Sequence, residues 1–137
     1  MKRFVTAVSV GLLALGVCAY AAVDWAQDYK SALERAGKEK KLVMVDFYAD
    51  WCGPCRMLDR LTFTNTDVQA ALSKDFVAVK VNIEGNSDLA MKYNTEANPH
   101  IIFLDSSGKK LSEIVGFVPA DQFRDELRKA TEIAAKK

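Results

Sequence analysis

Residues 42–55, LVMVDFYADWCGPC, constrain the fold of this chain more than any other stretch. A short apolar run rich in β-formers reads as a buried strand. Within a few residues it meets two cysteines held apart by Gly53 and Pro54, where a helix is expected to begin. A strand that feeds so quickly into a helix is the beginning of an α/β layer structure. The remaining periodicities agree. Apolar positions Trp25, Tyr29, Leu33 and Ala36 predict a helix over 24–37, ended by Gly37, with the basic run 38–41 as a solvated connection. After the cysteines, Met57, Leu58 and Leu61 are expected to face inward. The polar stretch 62–66 interrupts the helix, and Asp67 is expected to cap the next segment, with Val68, Ala71 and Leu72 inward. Strands follow over 76–83 and 100–105, with a short helix over 87–93 between them. A turn over 106–109 leads to an antiparallel strand over 111–115. Pro119 suits the first turn of a last helix, with Phe123, Leu127, Ala130 and Ile133 or Ala134 as its stripe. The expected order is α β α β α β β α.

Composition places this pattern in one domain. The chain has 137 residues, half hydrophobic and about a quarter charged, with a formal net charge of +1. That balance suits a packed domain and gives no support to a nucleic-acid partner. The first residues differ from the rest. Lys2 and Arg3 precede an uncharged apolar run and then Ala19-Tyr20-Ala21, the layout of a secretory signal peptide over 1–21. The alternative is an uncleaved anchor, because Phe4 to Val23 is 20 uncharged residues, long enough to span. Thr6, Ser9, Gly11 and Gly16 dilute it. Cleavage after Ala21 takes Lys2 and Arg3 from the 19 basic residues, leaving 17 against 18 acidic, a net charge of −1. It also removes Cys18, so Cys52 and Cys55 become the thiols of the domain 22–137.

Cysteine arithmetic narrows the chemistry. A structural zinc site needs about four N or S ligands, and the domain has two cysteines and one histidine, His100. A disulfide across so short a loop removes little entropy from the unfolded chain, and a domain of this size needs no staple. The remaining reading is a redox-active pair.

VDFYADWCGPC, with an aspartate six residues before the first cysteine, resembles the active-site signature of thioredoxins. KYNTEANPHIIFLD resembles the family segment that carries a cis-proline. YADWCGPCRMLDRLTF and the ending GFVPADQFRDELRKA resemble the secreted thioredoxin-like domain of the transmembrane thiol:disulfide interchange reductase. The resemblance implies a thioredoxin fold over 22–137, a central mixed β-sheet flanked by helices on both faces. It implies an exported thiol–disulfide oxidoreductase that reduces protein disulfides through a Cys52/Cys55 dithiol–disulfide cycle, with no cofactor. Disulfide-containing proteins are its expected substrates, an inner-membrane electron donor its expected partner, the periplasm its expected location and a monomer its expected state.

The residue roles follow. Cys52 is the nucleophile, since a helix start favours a negative sulfur, and Cys55, set deeper, resolves the mixed disulfide. Asp46 is the candidate base; the alternative is a strand aspartate turned to solvent. Lys80 either tunes Asp46 or is a plain strand lysine. Gly53 and Pro54 hold the loop, and Trp51 covers the rim or only packs. Asn98 and Pro99, with Pro99 cis and a trans turn as the alternative, receive an extended substrate strand. Gly116 and Phe117 form the opposite rim. Three positions depart from the family pattern: Tyr48 replaces the usual tryptophan, Asn98 a branched residue, His100 a threonine. His100 is counted with Asn98 and Pro99 among the substrate-binding residues; it either stabilises the thiolate, serves as a third ligand, or has no special role. A second function therefore stays open, a copper(I)-binding or cuproprotein-assembly module built from Cys52, Cys55 and His100.

Overall fold

The computed structural model describes residues 22–136. The expected leader over 1–21 lies outside them. Five strands form one sheet: β1 (Trp25–Ala26), β2 (Leu42–Tyr48), β3 (Phe76–Asn82), β4 (His100–Leu104) and β5 (Lys110–Val115). Their spatial order is β1-β3-β2-β4-β5. β1 and β2 run parallel to β3; β4 is antiparallel to β2, and β5 to β4. The helices are α1 (Tyr29–Glu39), α2 (Gly53–Met57), α3 (Thr66–Asp75), α4 (Ser87–Lys92) and α5 (Ala120–Ala135).

Both faces of the sheet are covered, which is why β2 reads as a nearly unbroken apolar run. Alternate residues of β2 go to opposite faces. Met44 packs with Ile101 and Phe103, with Val68 and Leu72 of α3, and with Phe123, Leu127 and Ala130 of α5. Val43, Val45 and Phe47 pack on the other face with Ala32 and Ala36 of α1, Ile102, Leu104 and Tyr93. In the first layer Phe123 meets Phe63 edge-on at 5.5 Å between centroids and Phe103 at 6.2 Å. In the second, Tyr93 donates to the carbonyl of Gly108 at 2.8 Å. Gly108 has φ +88°, a conformation that favours glycine, and a Cβ there would crowd the Tyr29 hydroxyl at 3.1 Å.

Several local expectations are corrected. The helix expected over 24–37 begins at Tyr29, because Asp28 accepts the Ser31 N–H at 2.7 Å and Ser31 answers at the Asp28 N–H, a capping box. Ahead of it, Trp25 and Ala26 are extended and pair with Ala78 and Val79. Gly37 does not end the helix; Lys40, at φ 56°, does, so the 38–41 run is its last turn and cap. Asn65, not Asp67, caps α3, accepting the N–H groups of Asp67 and Val68 at 3.0 and 3.1 Å.

The largest correction follows α2. Leu58–Thr62 form a π-helical turn, in which the Phe63 N–H reaches the Leu58 carbonyl at 3.0 Å. The wider turn carries Leu61 off the inner face. Leu58 and Thr62 are fully buried, while Met57 and Leu61 are 45 % and 58 % exposed. In α5, Phe123, Leu127 and Ala130 are buried as expected, and Ile133 is exposed.

Candidate active site

The end of β2 delivers the chain into Asp50 and Trp51, and α2 starts at once. Cys52 is its N-cap, in extended conformation, with Pro54 in the first turn where a missing N–H costs nothing. Cys52 and Cys55 are joined as a disulfide with their Cα atoms 5.3 Å apart. The Cys55 N–H points at Cys52 Sγ, 3.2 Å away, so a helix-terminal donor faces the sulfur that would carry charge. Both cysteines are buried, 3 % and 4 % exposed, against Ala49, Tyr48 and Ile83. Cys55 is therefore no deeper than Cys52 in the disulfide form.

Asp46 lies on the sheet face that the π-helical turn covers, since Leu58 packs into the same core as its neighbour Met44. It is 1 % exposed, which rules out the solvent-facing alternative. Lys80, its register partner on β3, reaches Oδ2 at 2.9 Å, whereas Oδ1 has no hydrogen-bond partner. Burial holds the carboxyl above the usual carboxylate range, and the Lys80 ammonium only partly offsets it.

Lys80 is more than a plain strand lysine. Asp59 of the π-helical turn takes its ammonium at 2.6 Å. The rings of Trp25, Tyr48 and Phe63 surround it, with centroids at 5.0, 5.0 and 5.6 Å. Two carboxylates and three rings hold one cation, and the attraction of Asp46 and Asp59 outweighs desolvation, raising the Lys80 pKa.

The expected rim residues are placed as follows. Trp51 is 66 % exposed, and its indole N–H donates to Glu84 at 2.9 Å. Glu84 is steadied by its own N–H on Asn82 at 3.0 Å. Pro54 is exposed, and a Cβ at Gly53 would meet nothing. The Asn98–Pro99 bond is cis. The Pro99 carbonyl accepts the N–H of Gly116 at 2.8 Å, and Gly116 holds φ +89°. Asn98 is half-buried with its Oδ1 unpartnered.

His100 does not join the cysteines. It shares a face of β4 with Ile102 and Leu104, whereas Asp46 shares the opposite one with Ile101 and Phe103. Its Nε2 lies 2.8 Å from Glu113, which also takes Lys110 at 3.0 Å. Among the described residues no three of His, Cys, Asp and Glu are grouped to hold a metal. The Cys52, Cys55 and His100 ligand set is thus not assembled, and His100 is engaged by Glu113 instead.

Sequence reasoning missed Asp59, Glu84, Glu113 and the aromatic surround. Asp59 sits thirteen residues after Asp46, but only the π-helical turn brings it to Lys80, and no pattern in the chain signalled that turn.

A dithiol that can close at a helix start is a reversible two-electron centre. The class that this fold and centre define is the thiol–disulfide oxidoreductases of thioredoxin fold. The thioredoxin-like family model matches residues 24–106, and the chain belongs to that family. It is 37 % identical over 94 residues to the thiol:disulfide interchange protein DsbD of Photorhabdus laumondii, covering 64 % of this chain and 16 % of that protein. The chain thus spans about a sixth of that relative's length. A thioredoxin of Mycoplasmoides gallisepticum is 31 % identical over 99 residues, covering 72 % of this chain and 94 % of its own. The oxidised C-terminal domain of Neisseria meningitidis DsbD aligns with a TM-score of 0.63 at 28 % identity, over 74 % of this chain and 91 % of that one.

Proposed function

We propose that the protein is an exported reductant of protein disulfides, recharged by an electron donor in the inner membrane. The observation that carries the reading is the joined Cys52–Cys55 pair at the start of α2. In the reduced state the Cys52 thiolate attacks one sulfur of a substrate disulfide. A mixed disulfide forms and one substrate thiolate leaves, taking a proton from solvent. Cys55 then loses its proton, and its sulfur attacks Cys52. The Cys52–Cys55 bond forms, the mixed disulfide breaks, and the second substrate thiolate leaves. Two electrons have passed to the substrate.

Asp46 serves the second step. Its carboxyl has a raised proton affinity and a free Oδ1, which suits it to take the Cys55 proton through a water. Lys80 keeps that affinity from rising further. Asn98, Pro99 and Gly116 form the groove in which an extended substrate segment lies, and Trp51, Gly53 and Pro54 its other wall.

The test is turnover of insulin disulfides by the domain 22–137 with dithiothreitol as donor. Activity is expected, and Cys52→Ser should abolish it; equal rates with and without Cys52 overturn the reading. Direction is tested by the potential of the pair. A value near about −270 mV supports a reductant, and one near about −120 mV reverses the direction. The Lys2/Arg3 and 19–21 pattern supports export, tested by sequencing the N-terminus of the protein recovered from cells. The donor is tested by the redox state of Cys52 and Cys55 in cells: reduced protein that becomes oxidised when the donor is deleted is the expected result.

A further inference from the structure

Thr62 is fully buried, polar, and unused by the chemistry above. A threonine inside a helix commonly bonds back to the carbonyl one turn earlier. Here the Leu58 carbonyl is taken by the Phe63 N–H. The Thr62 hydroxyl instead donates to the carbonyl of Val118 at 2.6 Å, across 56 residues of chain. Val118 belongs to the four-residue segment that links β5 to α5, and Gly116 of that segment donates to the Pro99 carbonyl at 2.8 Å. The same short segment is thus tied to the cysteine-bearing helix on one side and to the Asn98–Pro99 loop on the other. Packing of α5 against the π-helical turn does not depend on this bond, since Phe63 on Phe123 already supplies it.

We propose that Thr62 is a positioning residue for substrate. Its hydroxyl sets the distance between the cysteine-bearing helix and the 116–118 rim, and through Gly116 the placement of the Asn98–Pro99 loop. The inference rests on the proposed groove and adds to it the element that holds its two walls in register. A segment held at both ends presents its backbone groups to a substrate strand at one spacing. Released from Thr62, it keeps the tie to Pro99 but loses its reference to Cys52. Substrates that lie along the groove then bind less well, while a disulfide too small to reach the groove is untouched.

The experiment compares Thr62→Val with Thr62→Ser in the domain 22–137. Thr62→Val keeps the shape and removes the donor; Thr62→Ser restores it. For insulin, Thr62→Val is expected to raise KM about tenfold, inside the ~100-fold that an ångström of misplacement costs, with kcat little changed. For hydroxyethyl disulfide both constants stay as in the parent, and Thr62→Ser behaves as the parent with both substrates. If Thr62→Val does not fold, Thr62→Ala takes its place, because the smaller side chain leaves room for water at the Val118 carbonyl. A lower melting temperature with an unchanged insulin KM shows a structural role only and overturns the proposal, as does an equal loss with both disulfides. If Asn98→Ala raises the insulin KM and Thr62→Val does not, the groove stands and this inference falls. If neither moves it, both fall.

Discussion

Replacing Asp46 by asparagine should make the protein more stable and a poorer catalyst at once. In the folded protein the carboxyl is 1 % exposed, with one oxygen on Lys80 and the other unpartnered. The ionised form is therefore poorly compensated. Neutralising it does not strand Lys80, which keeps Asp59 at 2.6 Å and its aromatic surround. Replacing one buried charge whose partner retains another is expected to stabilise at neutral pH, by about 1.4 kcal/mol for each unit by which the folded pKa exceeds the unfolded one. The sign with pH follows from the raised pKa. The folded state holds the Asp46 proton more tightly than the unfolded chain does. Between the unfolded pKa and the higher folded one, stability falls as pH rises, by at most about 1.4 kcal/mol per pH unit. Above the folded value the loss is complete. Asparagine lacks that loss, so the gap between variant and parent opens upward from about pH 4 and then levels. Urea unfolding of the oxidised proteins across that range measures it. Insulin turnover should meanwhile drop about 100-fold or more, the contribution of a general base, with the loss in release of the mixed disulfide. A stability gap that does not change with pH, or a variant less stable than the parent at neutral pH, refutes the reasoning.

Cys55→Ser should accumulate the substrate mixed disulfide on Cys52, seen by mass spectrometry, while Cys52→Ser accumulates none. Phe123→Ala removes a fully buried ring between Phe63 and Phe103 and should cost about 3–5 kcal/mol in urea unfolding. Asn65→Ala frees the Asp67 and Val68 N–H groups at the start of α3 and should cost about 1 kcal/mol by the same measurement.

Much of the molecule was legible because its signals are local. The run 42–49 needed only its own residues to read as a buried strand, and Phe123, Leu127 and Ala130 needed only their spacing. The two cysteines set their own range of chemistry, too few for zinc and too close for a useful staple. Asp46 stood out as the one charge in an apolar strand. What misled was also local. Trp25 fits the period of α1, yet it pairs with Ala78, more than fifty residues away. The capping box at Asp28 and Ser31 is equally local, but the apolar period of Trp25, Tyr29 and Leu33 runs past it.

By itself, then, the sequence determined the strand–cysteine–helix order, the redox pair and the carboxyl buried in β2, all properties of residues near one another in the chain. Tertiary structure decided the rest. A π-helical turn exchanged Leu61 for Thr62 on the inner face and brought Asp59 to Lys80. Strand alternation put His100 on the sheet face opposite Asp46, where it meets Glu113. The Thr62 bond to Val118 and the Gly116 bond to Pro99 tied together three segments that the chain keeps far apart. Each depends on which distant groups are left to satisfy a buried donor, acceptor or charge. That is settled only when the whole sheet and its helices have packed.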